Sequence, residues 1–383
     1  MKKTVSLLLA LIFLALPLAG CLSPVSLDAL GYVVSVGIDK APEGGLYFTL
    51  ALQREMAEQD LQSEGGASIL ADSGADLFEA IERIEASVPY SLNFSRTNFI
   101  ILSRELAEEG GLAELLELDL DRLKIRSSAV LLISEGEAFS FIGAMYANND
   151  ANINKLQTAL LTDRKKTGMV SAVSLARLFE AAAEGRFDIA PALGSRDDGV
   201  ITDMAQKKAE SEGEDPLKDV SAGDRVGGLS ALISGTALFS GLYMTGSLTR
   251  EETLFLNMAV GELKNGQFTY TGENGTVSVT LRLRSAKTRA FFLTEGGIGF
   301  SVKIELDYGV TRGECRDSRE LSAYIEKKLG EVYEKCRAAG SGALRLGICA
   351  SKLFRSRAEW EAFRAGGEEL FKEPAFSVTA SPE

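Results

Sequence analysis

The sequence has no histidine among its 383 residues, and it has only one tryptophan and four cysteines. The lack of histidine excludes Ser-His-Asp and Cys-His catalysis, the His-containing zinc sites and an imidazole pH switch. The sequence also lacks a Gly-Lys pair and a Ser-x-x-Lys motif, which excludes a P-loop and one class of serine hydrolase. We therefore predict that the chain is not an enzyme, with no catalytic residue, no cofactor and no metal site.

Positive charge is scarce. The chain carries 41 Lys and Arg against 54 Asp and Glu, for a net charge of −13. Nucleic acid binding depends on basic side chains that displace phosphate counterions, so the charge predicts no nucleic acid partner. An acidic surface is also repelled by anionic lipid headgroups. Any attachment to a membrane must therefore be hydrophobic.

The N-terminal residues 1–20 have the pattern of a signal peptide, with Lys2 and Lys3 ahead of an apolar stretch over residues 7–18. This stretch is shorter than the roughly 20 apolar residues that a membrane-spanning helix needs. It ends in Leu18-Ala19-Gly20-Cys21, which resembles a bacterial lipobox. We predict that Cys21 is lipidated and that two or three acyl chains hold the protein at the membrane. The alternative is an ordinary secretory leader with a coincidental cysteine.

The mature chain is predicted to form two modules. Residues 21–194 alternate strands with helices, which is typical of an α/β module of one or two lobes with a mixed sheet. Residues 195–228 are polar and rich in Gly and charge, which predicts a linker or an exposed loop. Residues 229–383 predict a mixed α/β module with antiparallel strands. The segments on which this division rests are strands at 32–38, 46–52, 99–102 and 129–133, and helices at 77–88, 105–118, 137–146 and 170–183.

In the second module, Thr249 to Glu252 fits a capping box that opens a helix through Leu263. A long helix begins near Asp317 and is followed by a strand over residues 344–348. Strands are also predicted at 232–239, 277–283, 300–306 and 376–378, with a short helix around Trp360.

Three cysteines follow Cys21 in the sequence, namely Cys315, Cys336 and Cys349. In an oxidising compartment any two of them could pair, and the sequence does not choose among the three pairings. Cys336 lies on the apolar stripe of its helix, so we predict a buried free thiol there.

The order of segments resembles the Ger(x)C family, the C-subunit lipoproteins of spore germinant receptors. The resemblance lies in the spacing of several strings rather than in one sharp motif, and it covers nearly the whole mature chain apart from residues 195–228. The strings are Ala29-Leu30-Gly31-Tyr32-Val33-Val34-Ser35-Val36-Gly37-Ile38-Asp39-Lys40, Asp76-Leu77-Phe78-Glu79-Ala80, Asn93-Phe94-Ser95-Arg96-Thr97-Asn98-Phe99-Ile100-Ile101-Leu102-Ser103, and Gly235-Thr236-Ala237-Leu238-Phe239 with the helix after Thr249.

Two positions depart from the family pattern. Leu22-Ser23 stands where members often have Trp-Asp, and the aspartate expected near Leu344 is absent. The resemblance implies mixed α/β domains with an unusual sheet topology. It also implies a lipid-anchored, non-catalytic subunit on the outer face of the cytoplasmic (inner spore) membrane, acting beside multi-spanning subunits in nutrient-triggered germination. It names no small-molecule ligand for this subunit. Two rival functions are a solute-binding lipoprotein of a transporter and a His-free cell-wall enzyme that uses carboxylates.

Overall fold

The structure is a computed structural model. It describes residues 30–53, 68–147, 167–197, 230–272, 275–313, 315, 317–366 and 371–382. The predicted signal peptide, Cys21 and most of the predicted linker lie outside the described residues.

A large mixed sheet forms the first part of the fold. Its main path runs β10-β9-β8-β6-β5-β1-β2-β3, and the short strands β4 and β7 pair with β1 and β6. The central strands β1, β5, β6 and β8 are mutually parallel, and antiparallel pairs flank them on both sides. The bounds are β1 Leu30–Lys40, β2 Leu46–Gln53, β3 Ser68–Gly74, β4 Ser91–Asn93, β5 Phe99–Ser103, β6 Val130–Ser134, β7 Val173–Ser174, β8 Ala192–Asp197, β9 Ser230–Ser240 and β10 Tyr243–Thr249.

Helices cover both faces of this sheet, which explains why its central strands are apolar throughout. Every residue of β5 and β6 is buried, as expected for parallel strands between two helical layers. One face packs against α1, α2, α3 and α6, and the other against α5. The bounds are α1 Leu77–Glu85, α2 Arg104–Glu108, α3 Leu112–Leu116, α4 Leu120–Leu123, α5 Ala138–Ala147 and α6 Leu175–Ala183.

Two predicted helices of the first module were wrong in extent. The predicted helix 105–118 is divided into α2 and α3 at Gly110-Gly111, because Gly110 adopts a left-handed conformation (φ +96°) that ends α2. The predicted helix 170–183 begins only at Leu175. Ser174 caps it by accepting a hydrogen bond from the backbone N–H of Arg177, and Val173–Ser174 pairs with β6 as a strand.

The sheet extends across the predicted linker. Residues 195–197, assigned to that linker, are the end of strand β8 and pair with β9. Strands β9 and β10 then form the edge of the same sheet, although they lie beyond residue 229. The large sheet is therefore built from residues on both sides of the 198–229 segment.

The second sheet has the order β11-β12-β13-β14, with β13 and β14 parallel and the other pairs antiparallel. Helix α7 lies between the two sheets: it is buried from Thr253 to Ala259, and the Thr253 hydroxyl lies 2.8 Å from that of Thr236 on β9. Helix α8 packs on the second sheet through its predicted apolar stripe, which consists of the buried Leu321, Ile325, Leu329 and Cys336. The bounds are β11 Asn265–Gly272, β12 Gly275–Phe292, β13 Ile298–Arg312, β14 Ala375–Pro382, α7 Arg250–Ala259 and α8 Ser318–Ala338.

The predicted strand at residues 344–348 was wrong. The chain turns at Arg345 and forms helix α9, Leu346–Ser351. The alternation of Leu344, Leu346 and Ile348 is too short to distinguish the two structures, and Leu346 and Ala350, four residues apart, face the core together. Helix α10, Arg357–Arg364, confirms the helix predicted around Trp360.

Candidate functional site

The one site residue predicted from sequence, Cys21, lies outside the described residues, so its lipidation stays a prediction. Within the described ranges, no helix is long and apolar enough to cross a bilayer. The same ranges contain no group of three Cys, Asp or Glu side chains that could hold a metal ion, and Cys315, Cys336 and Cys349 are free thiols.

Asp39 lies in the first of the sequence strings that carry the family resemblance, and it has a structural role. This residue lies at the end of β1, and its carboxylate accepts hydrogen bonds from the backbone N–H groups of Ala138 (2.6 Å) and Phe139 (2.9 Å). It therefore caps helix α5 from a strand 99 residues away in sequence. Burial raises the pKa of Asp39, and the two backbone hydrogen bonds counteract that rise. The neighbouring Lys40 ammonium lies 2.7 Å from the Glu109 carboxylate.

The string at residues 93–98 ties β5 to β1. The Thr97 hydroxyl donates to the carbonyl of Val33 at 3.1 Å, and the Arg96 guanidinium lies 4.0 Å from the ring centroid of Tyr32. Asn98 is fully buried and accepts a hydrogen bond from Arg126. These side chains are used in holding strands together, so this string marks the fold rather than a reaction.

A cavity of about 350 Å³ with a mixed polar and apolar lining lies between the large sheet and helix α7. It is bounded by the start of β6, the segment before α6, the irregular segment before β8, the end of α7 and the loop before α9. Its volume is at the lower end of the range for small-molecule sites. Its polar lining consists of Ser128, Ser171, Ser174, Arg177, Asp188, Asn257, Glu262 and Arg345.

The four charged residues of the cavity form two ion pairs. The Arg177 guanidinium lies 2.6 Å from the Asp188 carboxylate, and the Arg345 guanidinium lies 2.6 Å from that of Glu262. Burial lowers the pKa of Arg345, and the nearby positive charge of Arg177 lowers it further. The lining is therefore neutral overall, with two positive and two negative groups close together.

Several buried polar atoms around this cavity lack a hydrogen-bond partner among the described residues. Asp188 Oδ1 and Arg345 Nε are fully buried atoms of two lining residues, and Arg186 Nε and Ser341 Oγ belong to the same two chain segments. Those segments are in contact, because a Cβ on Gly342 would lie 3.4 Å from the Cα of Asp188. An unmet buried polar atom costs about 1–3 kcal/mol.

The backbone is strained on both sides of the cavity. Arg345 has φ +57° and Phe187, next to Asp188, has φ +44°, and these are two of the three residues other than glycine with positive φ in the described chain. Such conformations cost roughly 1–3 kcal/mol and persist where the surroundings impose them. The strain therefore marks the 186–188 turn and the 341–345 loop as positions held by tertiary contacts.

Asn257 fixes the third side of the cavity. It is buried at the end of α7, and its amide donates to the backbone carbonyls of Gly168 (2.7 Å) and Val170 (3.0 Å). Sequence reasoning missed this site, because its residues come from five separate segments with no local motif. The one sequence signal nearby is the departure from the family pattern near Leu344.

Comparison with known proteins agrees with the fold. Residues 23–192 match the family described as the spore germination protein N-terminal domain, and residues 234–378 match the spore germination B3/GerAC-like C-terminal family. The chain therefore belongs to the Ger(x)C family, the C subunits of spore germinant receptors.

Two individual proteins resemble the chain over most of its length. A protein of Bacillus subtilis (strain 168) named as the spore germination protein YfkR is 21% identical over 349 residues, which are 88% of this chain and 83% of that protein. The crystal structure of the GerBC protein matches with a TM-score of 0.50 and 12% identity, over 90% of this chain and 96% of that one. This second likeness concerns the fold, a mixed α/β arrangement of two sheets with flanking helices.

Proposed function

We propose that the protein is a lipid-anchored, non-catalytic subunit of a nutrient germinant receptor. In this proposal the thiol of Cys21 carries the lipid, and the folded body lies on the outer face of the cytoplasmic membrane of the spore. Its partners are the multi-spanning membrane subunits of the receptor. The observation that carries the proposal is the match of both family halves, in order, behind an apolar leader that ends in Leu-Ala-Gly-Cys.

Tethering gives this arrangement a physical advantage. A body confined to the membrane surface meets its membrane-embedded partners at a high effective concentration, so that a weak interface can be occupied. The acidic surface would not be drawn to anionic lipid by itself, so the acyl chains supply the attachment.

The anchor is tested by membrane fractionation of a Cys21→Ala variant. The variant is expected in the soluble fraction, or retained as an uncleaved precursor, with germination impaired. Cys349→Ala is the matched control, and it should fractionate with the membrane like the wild type. Mass spectrometry of the mature N-terminus should find a diacylglyceryl cysteine. An unmodified N-terminal residue on membrane-free wild-type protein contradicts the proposal.

The partners are tested by purification of the full chain from spore membranes in a mild detergent. We expect multi-spanning germination proteins to copurify with it in fixed ratio. Recovery with transporter permeases instead would favour the solute-binding alternative. Hydrolysis of peptidoglycan by the purified chain, abolished by one Asp or Glu substitution, would favour the cell-wall enzyme.

A further inference from the structure

The second sheet has one face that takes no part in the hydrophobic core. Its inward face packs on helices α7 and α8 through the buried alternate residues of β12 and β13. Side chains alternate in direction along a strand, so the remaining positions point the other way. Those positions carry five basic side chains, which together we call the basic face: Arg282, Arg284, Lys287, Arg289 and Lys303.

The basic face stands out in a chain whose net charge is −13. Strand β12 contains no Asp or Glu. The outward positions of the flanking strand β11 are Asn, Gln and Thr, and those of β14 are Ala, Ser and Thr. The four strands of this sheet contain only two acidic residues, Glu305 and Asp307 on β13. Positive charge is therefore concentrated on one face of the second sheet.

Both acidic residues already have partners. Asp307 is buried, and its carboxylate lies 2.7 Å from the Arg284 guanidinium and 3.8 Å from that of Arg282. The Glu305 carboxylate accepts a hydrogen bond from the Ser285 hydroxyl at 3.2 Å. The two arginines therefore share one buried counter-charge.

The other three cations have no counter-charge. Lys287, Arg289 and Lys303 are exposed and form no ion pair with the part of the chain that the structure describes. Lys287 lies directly opposite Lys303 in the register of β12 and β13. Like charges opposite one another in an antiparallel pair are destabilising. A negatively charged surface outside the chain would relieve this repulsion.

The basic face ends in an exposed aromatic side chain near the turn between β12 and β13. Phe291 is 45% exposed, and its ring lies over Gly299, where a Cβ would be 2.8 Å from it. The next residue, Phe292, is also exposed, and it meets the ring of Phe354 on the inward side. Basic side chains beside exposed aromatic ones are typical of surfaces that lie at the headgroup level of a bilayer.

We propose that the basic face lies against the anionic phospholipid of the membrane, with Phe291 at the headgroup level. This inference rests on the proposed location of the protein at a membrane, and it adds which face meets the lipid. The acyl chains supply the attachment, and the basic face sets the orientation of the folded body.

The net charge of the chain does not oppose this orientation. Repulsion by anionic lipid follows from the composition only if the charge is spread evenly over the surface. At physiological ionic strength charges are screened beyond about 8 Å, so the lipid interacts mainly with the nearest face. Each Lys or Arg at an anionic surface favours binding roughly fivefold. Three cations without a counter-charge would therefore favour this orientation roughly a hundredfold.

The position of the predicted anchor is compatible with this orientation. Strands β1, β5, β6 and β8 are parallel and begin at one edge of the large sheet, from which the chain leads back from Leu30 to Cys21. The start of β6 and the end of α7 border the same cavity, so the second half of the protein lies at that edge too. The segment between Cys21 and Leu30 can span at most about 30 Å. The tether therefore brings this edge of the molecule to the lipid.

Hydroxyl-radical footprinting of the full chain in vesicles tests the orientation. The vesicles consist of neutral phosphatidylcholine, or of phosphatidylcholine with about 30% anionic phosphatidylglycerol. Oxidation is mapped by peptide mass spectrometry. We expect Phe291 to be oxidised at least about threefold more slowly in the anionic vesicles, relative to the exposed Tyr243 of the large sheet. The difference should vanish in about 1 M salt, where screening sets in beyond about 3 Å.

Two variants with the same change in net charge locate the effect. The first combines Lys287→Gln, Arg289→Gln and Lys303→Gln, and it should lose the protection of Phe291. It should be at least as stable as the wild type, because the change removes the contact between two like charges. The second is the matched control and should keep the protection. It replaces three exposed cations of helices α8 and α10, through Lys327→Gln, Arg337→Gln and Arg357→Gln.

Equal oxidation of Phe291 in the two kinds of vesicle would overturn the inference, and so would protection that survives in the first variant. Protection by soluble polyglutamate but not by anionic vesicles would also overturn it, and would assign the basic face to an acidic protein partner. Flotation of the chain with neutral vesicles reports on the acyl anchor separately. A chain that floats with them but shows no protection by anionic lipid contradicts the orientation alone, whereas a chain that does not float contradicts the anchor.

Discussion

Arg177 and Asp188 form a nearly buried ion pair, with the guanidinium Nη2 of Arg177 2.6 Å from Oδ2 of Asp188. The arginine side chain is 22% exposed and the aspartate 4% exposed. Arg177 lies on α6, which packs on the large sheet, and Asp188 contacts the loop that follows α8. The pair therefore lies where the two halves of the protein meet.

Substitution of Arg177 by Gln should destabilise the protein by about 3–5 kcal/mol, because it leaves the Asp188 carboxylate buried without its counter-charge. The free energy of unfolding from denaturant titration measures this effect. Arg357→Gln is the control, since its pair with Glu361 is largely exposed on α10, and we expect a change within about 1 kcal/mol. Equal stability of the two variants would contradict the structural role given to Arg177.

Substitution of Asp39 by Asn should weaken the attachment of α5 to the large sheet. An asparagine amide can accept only one of the two backbone hydrogen bonds, so it leaves one N–H of the helix N-terminus facing another donor. The expected loss is about 1–3 kcal/mol, read from the midpoint of thermal or urea unfolding. Asp119→Asn is a suitable comparison, because Asn also caps well at an exposed helix start, and it should leave the midpoint almost unchanged.

Gly235 lies in one of the strings that carry the family resemblance, and it has no room for a side chain. A Cβ there would lie 1.9 Å from the carbonyl oxygen of Leu248 on the paired strand β10. Gly235→Ala should therefore destabilise the protein by at least about 1–3 kcal/mol, the usual range for overpacking.

The control for Gly235 is Gly347 on α9, where a Cβ would meet nothing within 4 Å. Gly347→Ala should be neutral or stabilising by up to about 1 kcal/mol, because alanine is the better helix former. Differential scanning calorimetry of the two variants gives the comparison. A tolerated alanine at position 235 would show that β9 and β10 are not paired as described.

The three cysteines of the second half should differ in reactivity. Burial raises the pKa of Cys336 to about 12, so near pH 8 its thiol is almost entirely protonated as well as inaccessible. Iodoacetamide followed by peptide mass mapping should label Cys315 and Cys349, which are half-buried, well before Cys336. In denaturant all three should react. Rapid native labelling of Cys336 would be inconsistent with its place on the buried face of α8.

Much of the fold could be predicted from local pattern. The alternation at residues 32–38 predicted a strand because side-chain direction in a strand has a period of two, and the structure confirms it. The apolar run at 99–102 predicted a strand that is buried on both faces, which the structure also confirms. The capping box at Thr249 and the apolar stripe on α8 were also confirmed, since the first is a contact within one helix and the second follows from the 3.6-residue period of a helix. Family membership followed from the order of such strings.

Other features depended on contacts between distant segments, and no local pattern could predict them. The alternation at residues 344–348 suggested a strand, yet packing of Leu346 and Ala350 together made it a helix. Only the tertiary structure placed β9 and β10 beside β8, because the pairing joins residues on both sides of the 198–229 segment. The Asp39 cap and the cavity with Asp188 and Arg345 have the same origin. Each joins side chains that are remote in sequence, and their chemistry arises from burial and proximity.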